Sequence, residues 1–313
     1  MKSEEFATAA MKIIDAHAHL WLNVDTVVNG SPIHPLEPNR SRSLFFGEEV
    51  QMLPPWMTDG QNTAERFLSN MDYAQVSAAV ITQEFIDGLQ NGYLREVNQQ
   101  YPDRFFCFGM PEWRHSGYYE EALSLIAKGF KGLKIPAARL PKDFLEQDEL
   151  RRVLWLMEGN DIILGIELHD GDAQTGMMEE LIADFPRLKI AIGHFGMVTR
   201  PGWLSQIRLA RHKNVYVESG GITWLFNDEF YPFPSAIRAI REAADEVGWH
   251  KLMWGSDYPR TITAITYRMS YDFVTKSKEL TDEQKALFLA DNAKQFFGFG
   301  DLVDLPYIKN MSE

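Results

Sequence analysis

Cysteine is almost absent from the sequence: the 313 residues include a single one, Cys107. A lone cysteine excludes an intramolecular disulfide, so the chain does not belong to the small secreted scaffolds that disulfides stabilise. Cys107 lies in the apolar run at residues 105–108, where a thiol usually behaves as a small buried hydrophobe. We therefore expect a reducing, cytoplasmic environment.

Long apolar runs and a surplus of basic residues are also missing. No stretch of about 18 uninterrupted apolar residues could span a bilayer, and residues 1–5 lack the apolar core of a secretory signal. Lys and Arg total 31 against 44 Asp and Glu, a formal net charge of -13, and no basic stripe could follow nucleic-acid phosphates. We expect neither a membrane nor a nucleic acid as a partner.

Eight short β-rich runs alternate with longer amphipathic stretches. After the first run they recur at intervals of roughly 25 to 37 residues, the spacing of repeated strand–helix units in a parallel sheet. The predicted strands are residues 13–16, 78–82, 105–110, 132–135, 162–168, 189–193, 215–218 and 252–255. Eight such units predict an α/β fold of the (β/α)8 or TIM-barrel type. An open, doubly wound sheet is the alternative fold. The sequence has no G-x-G-x-x-G motif after the first predicted strand, which excludes the usual dinucleotide-binding form of that fold.

Two segments depart from that spacing. Residues 20–60 are rich in Pro, Asn, Ser and Trp and show little periodicity, which predicts an insertion or lid after the first strand, at the active-site face of a barrel. Residues 281–298 predict a C-terminal closing helix with Thr281 as its N-cap and Gly298 at its end. No second-domain linker stands out, so we expect a single domain over residues 1–313.

Polar residues at the ends of four predicted strands carry the chemical signal. His17 and His19 are two residues apart on an extended segment, so both side chains leave the same face, and two converging imidazoles suit a zinc-like ion. His169 ends the fifth strand, His194 ends the sixth, and Asp257 follows the eighth. All five fall at carboxyl ends of strands, where barrel active sites are built. Hydrogen-bonded core histidines are the alternative interpretation of His169 and His194.

Four motifs resemble those of the amidohydrolase superfamily. They are IIDAHAHL at residues 13–20, GHFG at 193–196, WGSDYP at 254–259 and DNAKQFFG at 291–298. The likeness covers residues 12–298 and is greatest to the amidohydrolase-related branch, which includes aminocarboxymuconate-semialdehyde decarboxylase, resorcylate-type decarboxylases and several lactonases. The resemblance implies a metal-dependent TIM-barrel enzyme.

The resemblance also implies roles for the polar residues. His17, His19, His169 and Asp257 match the ligands of one divalent metal ion, most often zinc, with manganese or iron as alternatives. His194 matches the catalytic acid/base. A bound ion would lower the pKa of a water molecule toward about 7, and Asp257 could accept that water's proton, which makes it a catalytic candidate as well as a ligand. Some lactonases of this branch work without metal, so metal dependence is a hypothesis.

Candidate substrate-binding residues follow the strands on the same face. Lys134 ends the fourth strand, where binuclear relatives carry a carboxylated, metal-bridging lysine; it could instead hold a substrate carboxylate. Trp113 and Trp224 could form flat walls, and Arg114 and Arg260 could bind a carboxylate through the guanidinium fork. Core packing and surface solubility are the alternatives for these tryptophans and arginines. We expect a small anionic substrate.

These features favour a metal-dependent hydrolase whose metal-activated water attacks an ester, lactone or amide bond of a small carboxylated substrate. The alternative is a non-oxidative, metal-dependent decarboxylase of a carboxylated aromatic or muconate-like substrate, since nearly the same residues serve both reactions. A TatD-like nuclease also opens with H-x-H, but the acidic charge disfavours it. A catalytically silent binding module would not need the five polar residues. Relatives are often dimers, which leaves a homodimer open.

Overall fold

Each of the eight predicted strand regions contains a β-strand in the computed structural model, which describes residues 11–312. Residues 1–10, considered above for a secretory signal, and residue 313 lie outside the described part. The described residues form twelve strands: β1 (Ile14–His19), β2 (Thr26–Val28), β3 (Ser31–Pro35), β4 (Arg42–Phe45), β5 (Glu48–Gln51), β6 (Ala78–Thr82), β7 (Phe105–Cys107), β8 (Gly132–Ile135), β9 (Ile163–Ile166), β10 (Ile190–Ile192), β11 (Val215–Glu218) and β12 (Leu252–Met253).

Helices follow most of the parallel strands. Those in the described residues are α1 (Ala64–Ala74), α2 (Asn91–Gln100), α3 (Tyr118–Ala127), α4 (Asp148–Gly159), α5 (Thr175–Asp184), α6 (Trp203–Arg208), α7 (Ile222–Leu225), α8 (Pro234–Val247), α9 (Met269–Thr275), α10 (Asp282–Ala286) and α11 (Asn292–Phe297). The longest, α8, begins with a proline at its first position and buries Ala236, Ile237, Ile240 and Ala243, the spacing of one helical face. No helix within residues 11–312 combines the length and apolarity that a membrane crossing needs.

The eight strands outside the insertion are all parallel. They form one sheet in the order β1-β6-β7 and a second in the order β12-β11-β10-β9-β8. Single parallel bridges join the sheets, between Ala18 and Tyr258 on one side and between Gly109 and Leu133 on the other. Parallel strands place all their carboxyl ends at one edge, and this arrangement confirms the predicted α/β class with parallel sheets.

The insertion between β1 and α1 contains an antiparallel sheet. Its strands follow one another in the order β2-β3-β4-β5. Two-residue turns join β2 to β3 at Asn29-Gly30 and β4 to β5 at Phe46-Gly47, and all four turn residues have positive φ, as tight hairpins require. The Asn-Gly pair is a hairpin signal in the sequence, so the low periodicity of residues 20–60 conceals a regular sheet.

The C-terminal segment closes the end of the sheets opposite the strand carboxyl ends. Thr281 forms a capping box with Gln284 at the start of α10. A π-helical turn at Leu287–Asp291 joins α10 to α11, and Gly298 ends the segment in the left-handed region. Phe296 and Phe297 pack with side chains from several parallel strands in one apolar cluster. The predicted closing helix is present, with the π-turn as an addition.

Candidate metal centre

Two histidines on β1 present the same ring nitrogen to one point. His17 and His19 are both buried, and their Nε2 atoms lie 3.1 Å apart. The alternation of side chains along a strand sends both rings to the same side, as their spacing predicts. A pair of buried imidazole nitrogens this close together needs a shared proton or a cation between them.

Asp257 reaches the same point from the loop after β12. Its Oδ1 lies 3.1 Å from His19 Nε2 and 3.8 Å from His17 Nε2. Trp224 Nε1 donates a hydrogen bond of 2.9 Å to the other oxygen, Oδ2, while Oδ1 faces the histidines and also accepts from Arg260 at 3.3 Å. Asp257 has a φ of 58°, a costly conformation for a residue with a side chain, and its amide donates to the His17 carbonyl at 2.8 Å. The backbone thus holds this carboxylate against β1.

A buried carboxylate, Asp15, ties the two halves of the centre together. Its Oδ1 accepts from the amides of His17 at 3.1 Å and Ser256 at 2.8 Å, and its Oδ2 accepts from the Tyr267 hydroxyl at 2.8 Å. Ser256 directly precedes Asp257. Asp15 therefore sets the position of β1 relative to the loop that carries Asp257.

Carboxylates hold the outer nitrogens of both histidines. Glu218, the last residue of β11, lies 2.7 Å from His17 Nδ1, and Asp87 lies 2.6 Å from His19 Nδ1. Each carboxylate accepts the Nδ1 proton, so the ring offers Nε2 to the centre, as second partners of metal-binding histidines usually arrange. Neither carboxylate is among the residues predicted from the sequence. Glu218 ends a predicted strand, which is a usable signal, whereas Asp87 ends a single 3-10 turn after β6, at Phe85–Asp87.

His194 and Lys134 lie beside the centre around a further carboxylate. His194 Nδ1 is 2.8 Å from the carbonyl oxygen of Gly220 and donates to it, so Nε2 faces Glu167 Oε1 at 3.5 Å. Lys134 Nζ is 2.7 Å from the same oxygen. Glu167 is also absent from the predicted site residues, although it lies at the end of a predicted strand, two residues before His169.

Four buried carboxylates around the centre have a lowered pKa and are ionised at neutral pH, whereas burial raises the pKa of Asp15 to about 7. Burial alone raises the pKa of Asp257, Asp87, Glu218 and Glu167, but neighbouring Arg260, the histidines and, for Glu167, Lys134 outweigh burial and lower each pKa. These four carboxylates lie beside two permanently charged cations, Lys134 and Arg260. With neutral imidazoles the cluster carries two more negative than positive charges, the deficit that one divalent cation would balance.

The histidines respond to the same charges. Burial lowers the pKa of His19, but Asp87 outweighs burial and raises it to about 9. Burial likewise lowers the pKa of His194, and Glu167 raises it to about 9. For His17 burial dominates, and its pKa lies below the usual value. Protons on His19 and His194 therefore balance the carboxylates when no metal is bound, and metal binding to a histidine displaces such a proton.

A cavity of about 600 Å³ opens onto the centre. Its wall includes His19, Asp257, His194, Trp224 and Arg260, together with Phe45 from the antiparallel sheet of the insertion. Its other ionisable lining residues are Glu84, Arg139, Lys142, Glu167, His169 and Asp170. Its size suits a small molecule.

The predicted site residues divide into two groups. The donor atoms of His17, His19 and Asp257 all lie within 4.8 Å of one another, and His17, Glu167 and His194 form a second such group. The first group fits a metal ion by donor type, burial and charge. His194, Lys134 and Trp224 lie beside it. Arg260 also borders it, where its guanidinium contacts Asp87 at 2.8 Å and Asp257 at 3.3 Å.

Three of the predicted site residues direct their polar atoms away from the centre. His169 lines the cavity, but its Nε2 is 3.0 Å from the carbonyl oxygen of Leu140, and the residue is in neither donor group. Trp113 is buried and donates to the Lys134 carbonyl at 2.7 Å. Arg114 is paired with Glu112. Trp113 and Arg114 border a neighbouring cavity of about 540 Å³.

Known proteins resemble this chain over nearly its whole length. The family model described as Amidohydrolase matches residues 14–299. A probable 2-pyrone-4,6-dicarboxylic acid hydrolase from Acinetobacter baumannii, solved with citric acid bound, is 21% identical with a TM-score of 0.66 over 92% of this chain and 99% of that chain. An amidohydrolase from Burkholderia multivorans with bound zinc is 15% identical with a TM-score of 0.67, over 91% and 99%.

A third solved structure is that of 5-carboxyvanillate decarboxylase from Novosphingobium aromaticivorans, complexed with manganese and 4-hydroxy-3-methoxy-5-nitrobenzoic acid. It is 18% identical with a TM-score of 0.57, over 75% of this chain and 80% of that chain. No curated protein matches the chain. The family match covers most of the sequence and includes the histidine pair, the GHFG segment and Asp257. The chain therefore belongs to the amidohydrolase family of metal-dependent enzymes.

Proposed function

We propose that this protein is a metal-dependent hydrolase that cleaves an ester, lactone or amide bond of a small carboxylated substrate within a closed (β/α)8 barrel. The observation that carries the proposal is the convergence of His17 Nε2, His19 Nε2 and Asp257 Oδ1 at the wall of a cavity of about 600 Å³. The probable 2-pyrone-4,6-dicarboxylic acid hydrolase with a similar fold supports a lactone as the bond cleaved.

His17, His19 and Asp257 would hold one divalent ion, with zinc as the first choice and manganese as the second. A divalent ion bound there supplies Lewis acidity for a substrate carbonyl and acidifies a water molecule. Glu218 and Asp87 fix the two rings with Nε2 toward the centre, and Trp224 turns Asp257 so that Oδ1 faces them. The solved relatives with zinc and with manganese support either metal.

His194 would handle the proton of the reaction. Its Nδ1–H is held by the Gly220 carbonyl, so proton transfer takes place at Nε2, on the cavity side. Its pKa, raised to about 9 mainly by Glu167 against the effect of burial, makes it a proton donor at neutral pH. His194 would therefore protonate the leaving oxygen or nitrogen when the bond breaks, and Asp257 could take up a proton from water.

The cavity would bind an anionic molecule. Arg260, Arg139 and Lys142 line it, and Trp224 adds an aromatic surface. Lys134 is occupied by Glu167, so it would reach a substrate carboxylate only by sharing that ion pair. Trp113 and Arg114 would contact only a substrate that extends past Arg139, which borders both cavities.

Hydrolysis can be tested with 2-pyrone-4,6-dicarboxylate and simpler carboxylated lactones in water enriched in ¹⁸O. The expected result is ring opening, with the label in the new carboxylate, by the zinc-loaded protein. His194→Gln should keep the metal and lose most of the turnover. Ring opening without label, or full turnover by His194→Gln, would contradict the proposed chemistry.

Decarboxylation is a second candidate because the fold also matches a decarboxylase solved with a carboxylated aromatic ligand. In this reaction His194 would deliver a proton to carbon. Incubation of the protein with 5-carboxyvanillate in deuterium oxide separates the two reactions, since a decarboxylase releases carbon dioxide and incorporates one deuterium on the ring. Neither product is expected from a hydrolase.

The assembly and the location of the protein complete the proposal. We place the enzyme in the cytoplasm, where the free, buried thiol of Cys107 would stay reduced. A homodimer is consistent with exposed apolar side chains such as Trp56 and Phe230. Light scattering on the purified protein would give the mass in solution, and a mass near 36.0 kDa would indicate a monomer.

A further inference from the structure

We propose that Glu167 is the fourth protein ligand of the metal ion and that His169 belongs to the cavity wall. This inference rests on the metal centre of the proposed function, and it departs from the ligand set expected from the sequence. It concerns only the residue that the segment after β9 contributes, because both Glu167 and His169 lie there.

Glu167 has an oxygen directed at the centre. The residue is 8% exposed, and its Oε1 is buried, with Lys134 Nζ at 2.7 Å as its charged neighbour and no hydrogen bond of good geometry among the described residues. Oε1 lies 3.9 Å from His17 Nε2 and 3.5 Å from His194 Nε2. A buried carboxylate oxygen this close to two histidine nitrogens is a candidate metal donor, because it keeps lone pairs beyond the one that faces Lys134.

The distances from His17 Nε2 to the other three donors approach those of a coordination shell. Two ligands at about 2.1 Å from zinc in tetrahedral geometry are roughly 3.4 Å apart. The separations from His17 Nε2 are 3.1 Å to His19 Nε2, 3.8 Å to Asp257 Oδ1 and 3.9 Å to Glu167 Oε1. Glu167 is therefore about as near to His17 as Asp257 is, but its donor atom does not lie within 4.8 Å of those of both His19 and Asp257, so Glu167 would move toward an ion bound at the centre.

The ion pair with Lys134 does not use up the carboxylate. Lys134 Nζ lies 2.7 Å from Oε1, but an ionised carboxylate has two oxygens and about four lone-pair sites. One carboxylate can accept from an ammonium group and bind a metal ion at the same time. Lys134 would then hold Glu167 in place, much as Glu218 holds His17.

His169 is held away from the centre by its own contacts. Its Nε2 is 3.0 Å from the carbonyl oxygen of Leu140, and its amide donates to Gln174 Oε1 at 3.0 Å. Its carbonyl oxygen accepts from Gln206 Nε2 at 2.7 Å. To become a ligand, the ring would have to give up the bond to Leu140 and turn inward, whereas Glu167 already points there.

The test is zinc binding at fixed pH, measured by elemental analysis after dialysis and by competition with a coloured chelator. Glu167→Gln keeps the shape of the side chain and removes the charge, and His169→Asn keeps a side-chain donor for the Leu140 carbonyl. We expect Glu167→Gln to weaken zinc binding about 100-fold, the upper end of the loss caused by removing a second-shell partner. His169→Asn should stay within about threefold of the wild type. With cobalt in place of zinc, only Glu167→Gln should change the visible spectrum.

A double variant separates ligation from simple charge pairing. Glu167→Gln alone leaves the buried Lys134 without its partner, and that could disturb the site or the fold. In Lys134→Met/Glu167→Gln both charges are gone, so a pairing role predicts that zinc binding recovers, while a ligand role predicts that it stays weak. Circular dichroism and thermal melting confirm that each variant is folded.

The outcomes also distinguish this inference from the proposed function. Zinc in the wild type that is lost in His17→Ala supports the centre itself; a wild type that binds no zinc overturns the centre and the Glu167 assignment together. Normal zinc binding by Glu167→Gln or by the double variant, or its loss in His169→Asn, overturns the assignment of Glu167 and leaves the centre standing.

Discussion

At the scale of single residues, the outer nitrogen of each histidine determines what the inner nitrogen can do. His17 and His19 each direct Nδ1 to a buried carboxylate at 2.7 Å or less, and this fixes both the tautomer and the ring orientation. Loss of either carboxylate frees the ring to rotate and lowers its basicity. In the proposed metal centre, Glu218 and Asp87 would therefore matter as much for metal binding as the strand that carries the histidines.

Glu218→Gln should weaken zinc binding by about 10- to 100-fold while the fold remains intact, because the amide cannot supply the negative charge that accepts the Nδ1 proton of His17. Chelator competition measures the change. Glu179→Gln is a matched control, since Glu179 pairs with His212 at 2.6 Å on the exposed surface, far from the cavity lining. Equal zinc affinities in the two variants would contradict the positioning role of Glu218.

The glycine at residue 255 shows how little room the centre leaves. A Cβ at this position would lie 2.6 Å from His17 Cβ and 2.8 Å from Glu218 Oε2. Since His17 Cβ moves only with the backbone of β1, Gly255→Ala should cost about 1 to 3 kcal/mol of the free energy of unfolding and should also weaken zinc binding.

A second glycine provides the comparison for that prediction. Gly92 lies in α2, and a Cβ added there would have no atom within 4 Å, so Gly92→Ala should leave zinc binding unchanged and add up to about 1 kcal/mol of stability. Urea unfolding and zinc titration measure both variants. If Gly255→Ala is as stable as the wild type and binds zinc equally well, the centre is not crowded at this position.

At the scale of elements, the insertion completes the cavity that the parallel strands begin. Phe45, the last residue of β4, lines the cavity together with residues that follow the parallel strands. The next residue, Phe46, lies under the guanidinium of Arg139 at 5.6 Å from its ring centroid. The small sheet therefore contributes one wall of the cavity that opens onto the candidate metal centre.

Phe45→Ala should raise KM about tenfold, the loss of about 1.4 kcal/mol of apolar contact with substrate, with zinc content unchanged. Steady-state kinetics on the substrate found for the wild type would measure the change in KM. Leu22→Ala is the control, because Leu22 also lies in the insertion but is 45% exposed and lines neither cavity. A change in zinc content instead of KM would place Phe45 in the support of the metal centre.

At the scale of the whole molecule, the chain concentrates negative charge where its parallel strands end. The formal net charge of the chain is -13, and four ionised carboxylates lie together at the centre with the buried Lys134 and the partly buried Arg260. Repulsion among them opposes folding unless protons or a metal ion balance the charge. A bound divalent ion should therefore stabilise the entire fold.

Zinc added at about 100 times its dissociation constant should stabilise the metal-free protein by about 2.7 kcal/mol and raise Tm by about 5 °C. Thermal melting with and without zinc, after chelator treatment, measures the effect. In the double variant His17→Ala/His19→Ala the shift should disappear. A shift of equal size in that variant would mean that zinc acts elsewhere on the protein.

Local pattern was sufficient for the order of the elements, and it marked His17, His19 and Asp257, which the structure brings together. Strand spacing predicts the eight parallel strands, and period-two alternation places His17 and His19 on one side of β1 because successive side chains of a strand leave opposite faces. Asp257 was marked by its position after the last strand, because active sites of parallel barrels are built at the carboxyl ends of the strands. These features depend on residues close in sequence, or on a motif that the family shares.

Long-range packing decided which partners the donors meet. Glu218 is 201 residues from His17 and Asp87 is 68 residues from His19, so no local pattern connects them. The ring of His169 turns to the Leu140 carbonyl, and Glu167 turns inward, because loops from other strands surround that segment. A strand's alternation determines the face from which a side chain leaves, but the final contact depends on what the rest of the chain packs against that face.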